Sequence, residues 1–86
     1  MTLDDILDQF KSHRLGVVDT VLEVMNLVVA NQDKSILESI PDQVKNELTL
    51  MLESYHNCGH IEVISGGGTI IDLTEEFNIF DQYMAQ

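Results

Sequence analysis

Leu3, Ile6, Leu7 and Phe10 recur at i, i+3, i+4 and i+7, the spacing of one helical face, and predict a first helix. Thr2 precedes the run and Asp5 lies three residues further on, an acidic variant of the capping box. Lys11, His13 and Arg14 follow at the far end, where positive charge complements the helix dipole. Gly16 is the predicted stop.

Residues 17–30 pull in two directions. Six of these fourteen positions are valine, a strand former. Yet Asp19, Glu23, Asn26 and Ala30 fall at i, i+4, i+7 and i+11, so the polar or small positions trace one helical stripe. A strand would alternate with period two, and this segment does not. The pattern predicts a helix, and the most buried one of the fold.

Asn31, Gln32 and Asp33 interrupt the pattern, and residues 35–39 predict a short helical turn. Ser39, Pro41 and Asp42 then mark another helix start, because proline is tolerated in a first turn. Val44, Leu48, Met51, Leu52 and Tyr55 form its apolar face, and Asn57 and Gly59 end it. Beyond them the periodicity changes. Residues 60–64 and 69–73 are β-branched runs around Ser65, Gly66, Gly67 and Gly68, which predicts a hairpin. Thr74, Glu75 and Glu76 open a final helix with Phe77, Phe80 and Met84 facing inward. The expected fold is α+β: a single, mostly helical domain over residues 1–86, with three to four helices, one C-terminal hairpin and a short helix after it.

Composition narrows what such a domain does. With 86 residues and a 44% hydrophobic share, the chain can build one core with little to spare. No apolar stretch approaches the roughly 20 residues that span a bilayer. The opening residues carry Asp4 and Asp5 where a secretory signal would carry base, and Cys58 is the lone cysteine. These features predict a cytoplasmic protein without membrane contact. Fifteen acids against four bases give a net charge of −11, which repels phosphate backbones and anionic membranes and attracts basic surfaces. No nucleic-acid binding is expected, since four scattered bases make no footprint.

The most suggestive chemistry is the run His56, Asn57, Cys58, Gly59, His60. Two imidazoles and a thiol are good ligands for zinc or copper. If the run is extended, His56, Cys58, His60 and Glu62 share one face. Ligands at i and i+2 on a straight strand close a tetrahedron poorly, however, and there is no second Cys or His pair. Only His13 and a carboxylate such as Asp72 could complete the set. The expectation is therefore no metal and no cofactor. A nucleophilic reading of Cys58 lacks an orienting third group and an oxyanion signature. The run Ser65 to Thr69 lacks the lysine of a phosphate loop and precedes a strand. The pairs Asp4–Asp5 and Glu75–Glu76 sit in predicted first turns, where acid stabilises exposed N–H groups. Met25, Met51 and Met84 are read as core filling.

No motif ties the chain to a family. In size and acidity it is similar to small immunity proteins and antitoxins that bind basic toxins, and to phage inhibitors that imitate DNA; that likeness carries no residue. The expected function is a small, acidic, non-enzymatic protein-binding or regulatory module with no catalytic residue. Asp4, Asp8, Glu47 and Glu53 are candidate contacts for a basic protein partner. A metal-binding protein or small metalloenzyme using His56, Cys58 and His60 is the alternative, and a structural accessory subunit a further one. A homodimer is expected, because an isolated hairpin is marginal in water and Ile61, Val63, Ile70 and Ile71 need cover.

Overall fold

The computed structural model describes residues 2–64 and 67–86. The elements follow the order α1 (Leu3–Lys11), α2 (Val17–Asn31), a 3-10 turn (Lys34–Glu38), α3 (Asp42–Cys58), β1 (Glu62–Ile64), β2 (Ile70–Asp72) and α4 (Thr74–Met84). The fold is α+β and mostly helical, as the periodicities predict. The chain forms two compact units, Met1–Leu48 and Thr49–Gln86, and residues 42–48 of α3 belong to the first.

In the first unit, α1 is capped as its sequence requires. The Asp5 N–H donates to Thr2 Oγ1 at 3.3 Å and the Thr2 N–H to Asp5 Oδ2 at 3.2 Å. Hydrogen bonding to its carboxyl by the Thr2 backbone N–H, and then by the Thr2 side chain, holds Asp5 below its ordinary value. The helix stops earlier than expected. Ser12 returns both its N–H, at 3.0 Å, and its hydroxyl, at 2.8 Å, to the Asp8 carbonyl. His13 then turns left-handed at φ 63°, and Arg14 and Leu15 donate to Gln9 O. Gly16 instead stands at the N-cap of α2 with extended backbone, φ −70° and ψ 164°. Its carbonyl accepts the hydroxyl of Thr20 at 2.8 Å, which satisfies a polar side chain with no exposure.

The valine-rich segment is helical throughout. Thr20, Val21, Val24, Met25 and Val28 are buried, while Asp19, Asn26 and Ala30 of the predicted stripe are exposed and Glu23 is half-buried. Gln32 closes α2 with left-handed backbone, and Asp33 caps the 3-10 turn by accepting the Ser35 N–H at 3.0 Å. Ile6, Leu7, Ile40, Val44 and Leu48 complete the buried apolar set of this unit.

The second unit begins within α3, whose Met51 is buried and whose Leu52 and Tyr55 are half-buried, on the predicted face. The helix ends at Cys58, and Gly59 follows at φ 69°, where a side chain would strain the backbone. β1 and β2 pair antiparallel in the register Glu62↔Asp72, Val63↔Ile71, Ile64↔Ile70. Thr69 falls outside β2, so the connection is longer than the expected four glycine-rich residues. Ser65 and Gly66 of that expected turn lie outside the described residues; Gly68 has φ 83°. Ile61, Leu73, Phe77 and Phe80 are buried, and Tyr55 stacks on Phe77 with ring centroids 6.2 Å apart.

Candidate functional site

The alignment of His56, Cys58, His60 and Glu62 that an extended run would give does not occur. His56 and Cys58 lie in the last turn of α3, and the chain becomes extended only after Gly59. The helical signal of the α3 face carries on through residue 58, so the alternation of side chains begins too late to include them. His56 turns toward α4, its Nε2 lying 2.9 Å from Asp81 Oδ1. The adjacent Tyr55 donates its hydroxyl at 3.1 Å to Oδ1 of Asn78, which lies about one helical turn before Asp81 on α4. Cys58 is a free, exposed thiol. Among the described residues, no group of three or more His, Cys, Asp or Glu side chains is placed to hold a metal ion. His13 belongs to the first unit, where it lines a cleft of about 380 Å³ with Phe10, Lys11, Leu15, Gly16, Val17 and Gln43.

Only His60 and Glu62 of the predicted run meet, across one pleat, with Nε2 2.6 Å from Oε1. The hairpin register brings two further groups to them that the linear run does not contain. Thr74 Oγ1 lies 2.9 Å from His60 Nδ1 and accepts the Ile61 N–H at 3.1 Å. The same hydroxyl donates to Asp72 Oδ1 at 2.6 Å, and that oxygen also accepts the Thr74 N–H at 2.9 Å. Asp72 thus closes an Asx turn at the start of α4.

Counting protons shows which form of the imidazole suits the array. Thr74 has one hydroxyl proton, and the Asp72 contact uses it. Nδ1 of His60 must then donate to Thr74, while Nε2 donates to the Glu62 carboxylate. All four contacts are satisfied together only by the imidazolium. The Glu62 hydrogen bond, supported by the charges of Asp72 and Glu62, raises the His60 pKa against a smaller opposing effect of burial. The side-chain and backbone bonds from Thr74, and then the charge of His60, lower that of Asp72. A neutral His60 would force the hydroxyl to choose between ring and carboxylate. Chemically, this array is a clasp joining the base of the hairpin to α4.

Toward the tip, the same sheet face changes character. Side chains alternate along a strand, so Ile61 and Leu73, at 6% and 3% exposure, point to one face. Glu62, Ile64, Ile70 and Asp72 point to the other. Ile64 and Ile70 are direct partners there, 72% and 64% exposed. Of Ile61, Val63, Ile70 and Ile71, all expected to need cover, Ile61 is buried and Val63 half-buried, whereas Ile70 and Ile71 are exposed.

Charge is also unevenly divided. Lys11, Arg14, Lys34 and Lys45 all precede residue 49, so the second unit has no Lys or Arg. It carries six acids: Glu53, Glu62, Asp72, Glu75, Glu76 and Asp81. No helix among the described residues is long and apolar enough to cross a membrane. Searches of protein-family models, curated proteins and solved structures find no match to this chain.

Proposed function

We propose that this chain is a small, non-enzymatic, acidic protein-binding module whose second unit docks a basic protein partner. The observation that carries this reading is the division of charge: six carboxylates and no Lys or Arg in residues 49–86. Complementary charge mainly speeds encounter, and salt removes the advantage as the Debye length shrinks from about 30 Å at 0.01 M to about 3 Å at 1 M. Association with a partner captured from the native host should therefore slow by about an order of magnitude or more across that range. An association rate indifferent to salt would refute the reading.

Self-association is the second reading, and the hairpin favours it. Among the described residues its sheet has two strands, so each has an edge for another copy. A two-fold pairing would give a four-stranded sheet. The same six carboxylates oppose it, so a dimer should tighten with salt while the basic complex weakens. Sedimentation equilibrium at low and high salt separates the two.

A further inference from the structure

We infer that the outer face of the hairpin is the docking surface, and that its occupant is a protein segment presenting aliphatic side chains beside lysine or arginine. This rests on the proposed basic partner and gives it a place and a chemistry. Ile64 and Ile70 stand side by side, 72% and 64% exposed, on the face turned away from Ile61 and Leu73. A cross-strand pair of β-branched residues stabilises a hairpin. Two threonines would do so as well without presenting apolar area to water, so the pairing alone does not account for isoleucine at both positions.

The flanking charge identifies what can cover the pair. Two residues from each isoleucine, on the same face, stand Glu62 and Asp72, with side chains 47% and 61% exposed. The unit holds no Lys or Arg to neutralise them; His60 faces both, 2.6 Å from Glu62 and 3.9 Å from Asp72, and in its imidazolium form still leaves the pair one net negative charge, while His56 is turned to Asp81. An anionic membrane or a nucleic acid would meet repulsion here. A second copy would set isoleucine on isoleucine but carboxylate on carboxylate. An aliphatic residue bordered by cations satisfies both halves of the face at once.

The test uses the full chain with isoleucine methyl labels, titrated with a short synthetic peptide alternating isoleucine and lysine and with its glutamate-for-lysine counterpart. The lysine peptide should shift the Ile64 and Ile70 methyl signals, and the glutamate peptide should not. Ile64→Ser with Ile70→Ser should weaken binding by about tenfold or more. Ile79→Ser, on α4 and 48% exposed, should leave binding unchanged. Circular dichroism confirms that each variant is folded. Unmoved Ile64 and Ile70 signals, or unchanged binding by the double variant, overturn the hairpin assignment. If the lysine peptide then still binds elsewhere in a salt-dependent way, the broader reading of a basic partner survives; if it binds nowhere, both fall. A dimer of the chain alone that the double variant abolishes gives the face to a second copy and overturns the inference. Capture by phosphatidylglycerol vesicles through these two residues overturns it as well.

Discussion

The two units are both net acidic but differ in where they place cations and exposed apolar residues. Residues 1–48 hold every Lys and Arg of the chain, and the large hydrophobics exposed among the described residues all lie elsewhere. Residues 49–86 hold Leu50, Ile64, Ile70, Ile71 and Ile79, all exposed, beside acids without a Lys or Arg. Helices explain part of this. An amphipathic helix chooses which stripe it buries, and α2 turns its valines and Met25 inward while leaving its polar stripe outside. The two-stranded sheet has two faces and covers only the base of one, at Ile61 and Leu73, leaving Ile71 exposed further along it. The first unit is therefore arranged for stability, whereas the second presents apolar surface framed by negative charge.

Core substitutions should sharpen that contrast most. Phe77, with no exposure, sits under the stacked Tyr55 ring, and Phe77→Ala should cost about 3–5 kcal/mol in chemical denaturation. Ile64→Ser with Ile70→Ser, in the same unit, should stay within about 0.5 kcal/mol of the parent at each site. If the isoleucine pair proves as costly as the phenylalanine, the outer face is part of the core and the contrast between the units collapses.

The α1 cap comes next. Thr2→Ala removes the oxygen that accepts the Asp5 N–H and should cost about 1 kcal/mol, read as a lower thermal midpoint with loss of helix signal. Fraying of α1 should register in the first unit and leave the hairpin resonances in place.

The smallest expected effect is on pH dependence at the clasp. His60 has a folded pKa above its ordinary 6.5, so its contribution is complete below 6.5 and is lost as pH rises through the folded value. Asp72 has a folded pKa below its ordinary 3.8, so its contribution is present above 3.8 and is lost as pH falls through the folded value. Between those limits the clasp is intact. Amide exchange in β1 and β2, corrected for intrinsic rates, should show protection falling on the alkaline side. His60→Gln should flatten that limb. An alkaline limb unchanged by His60→Gln would detach the histidine from hairpin stability.

Where the decisive interactions were local, the residues announced them. Thr2 and Asp5 form their capping box because both partners lie within one turn, and the polar stripe of Asp19, Glu23 and Asn26 outweighed six valines because periodicity outranks propensity. Phe77 and Phe80 face inward for the same reason. Gly16 misled because glycine ends helices often, whereas here Ser12 and His13 reached the carbonyls first.

The candidate site was only half legible. His60 and Glu62 meet across one pleat, so their contact follows from spacing alone. Asp72 and Thr74 enter through the register, which pairs residue 62 with residue 72 and so brings residue 60 beside residue 74. A four-residue turn over residues 65–68, as the β-branched runs implied, would pair residue 64 with residue 69 instead of residue 70, and a slip of one exchanges the two faces. Composition determined the acidity and periodicity determined the helices, because both are sums over near neighbours. Which isoleucines reach water, and which groups gather around His60, were decided by tertiary structure, because each depends on what distant parts of the chain bring together.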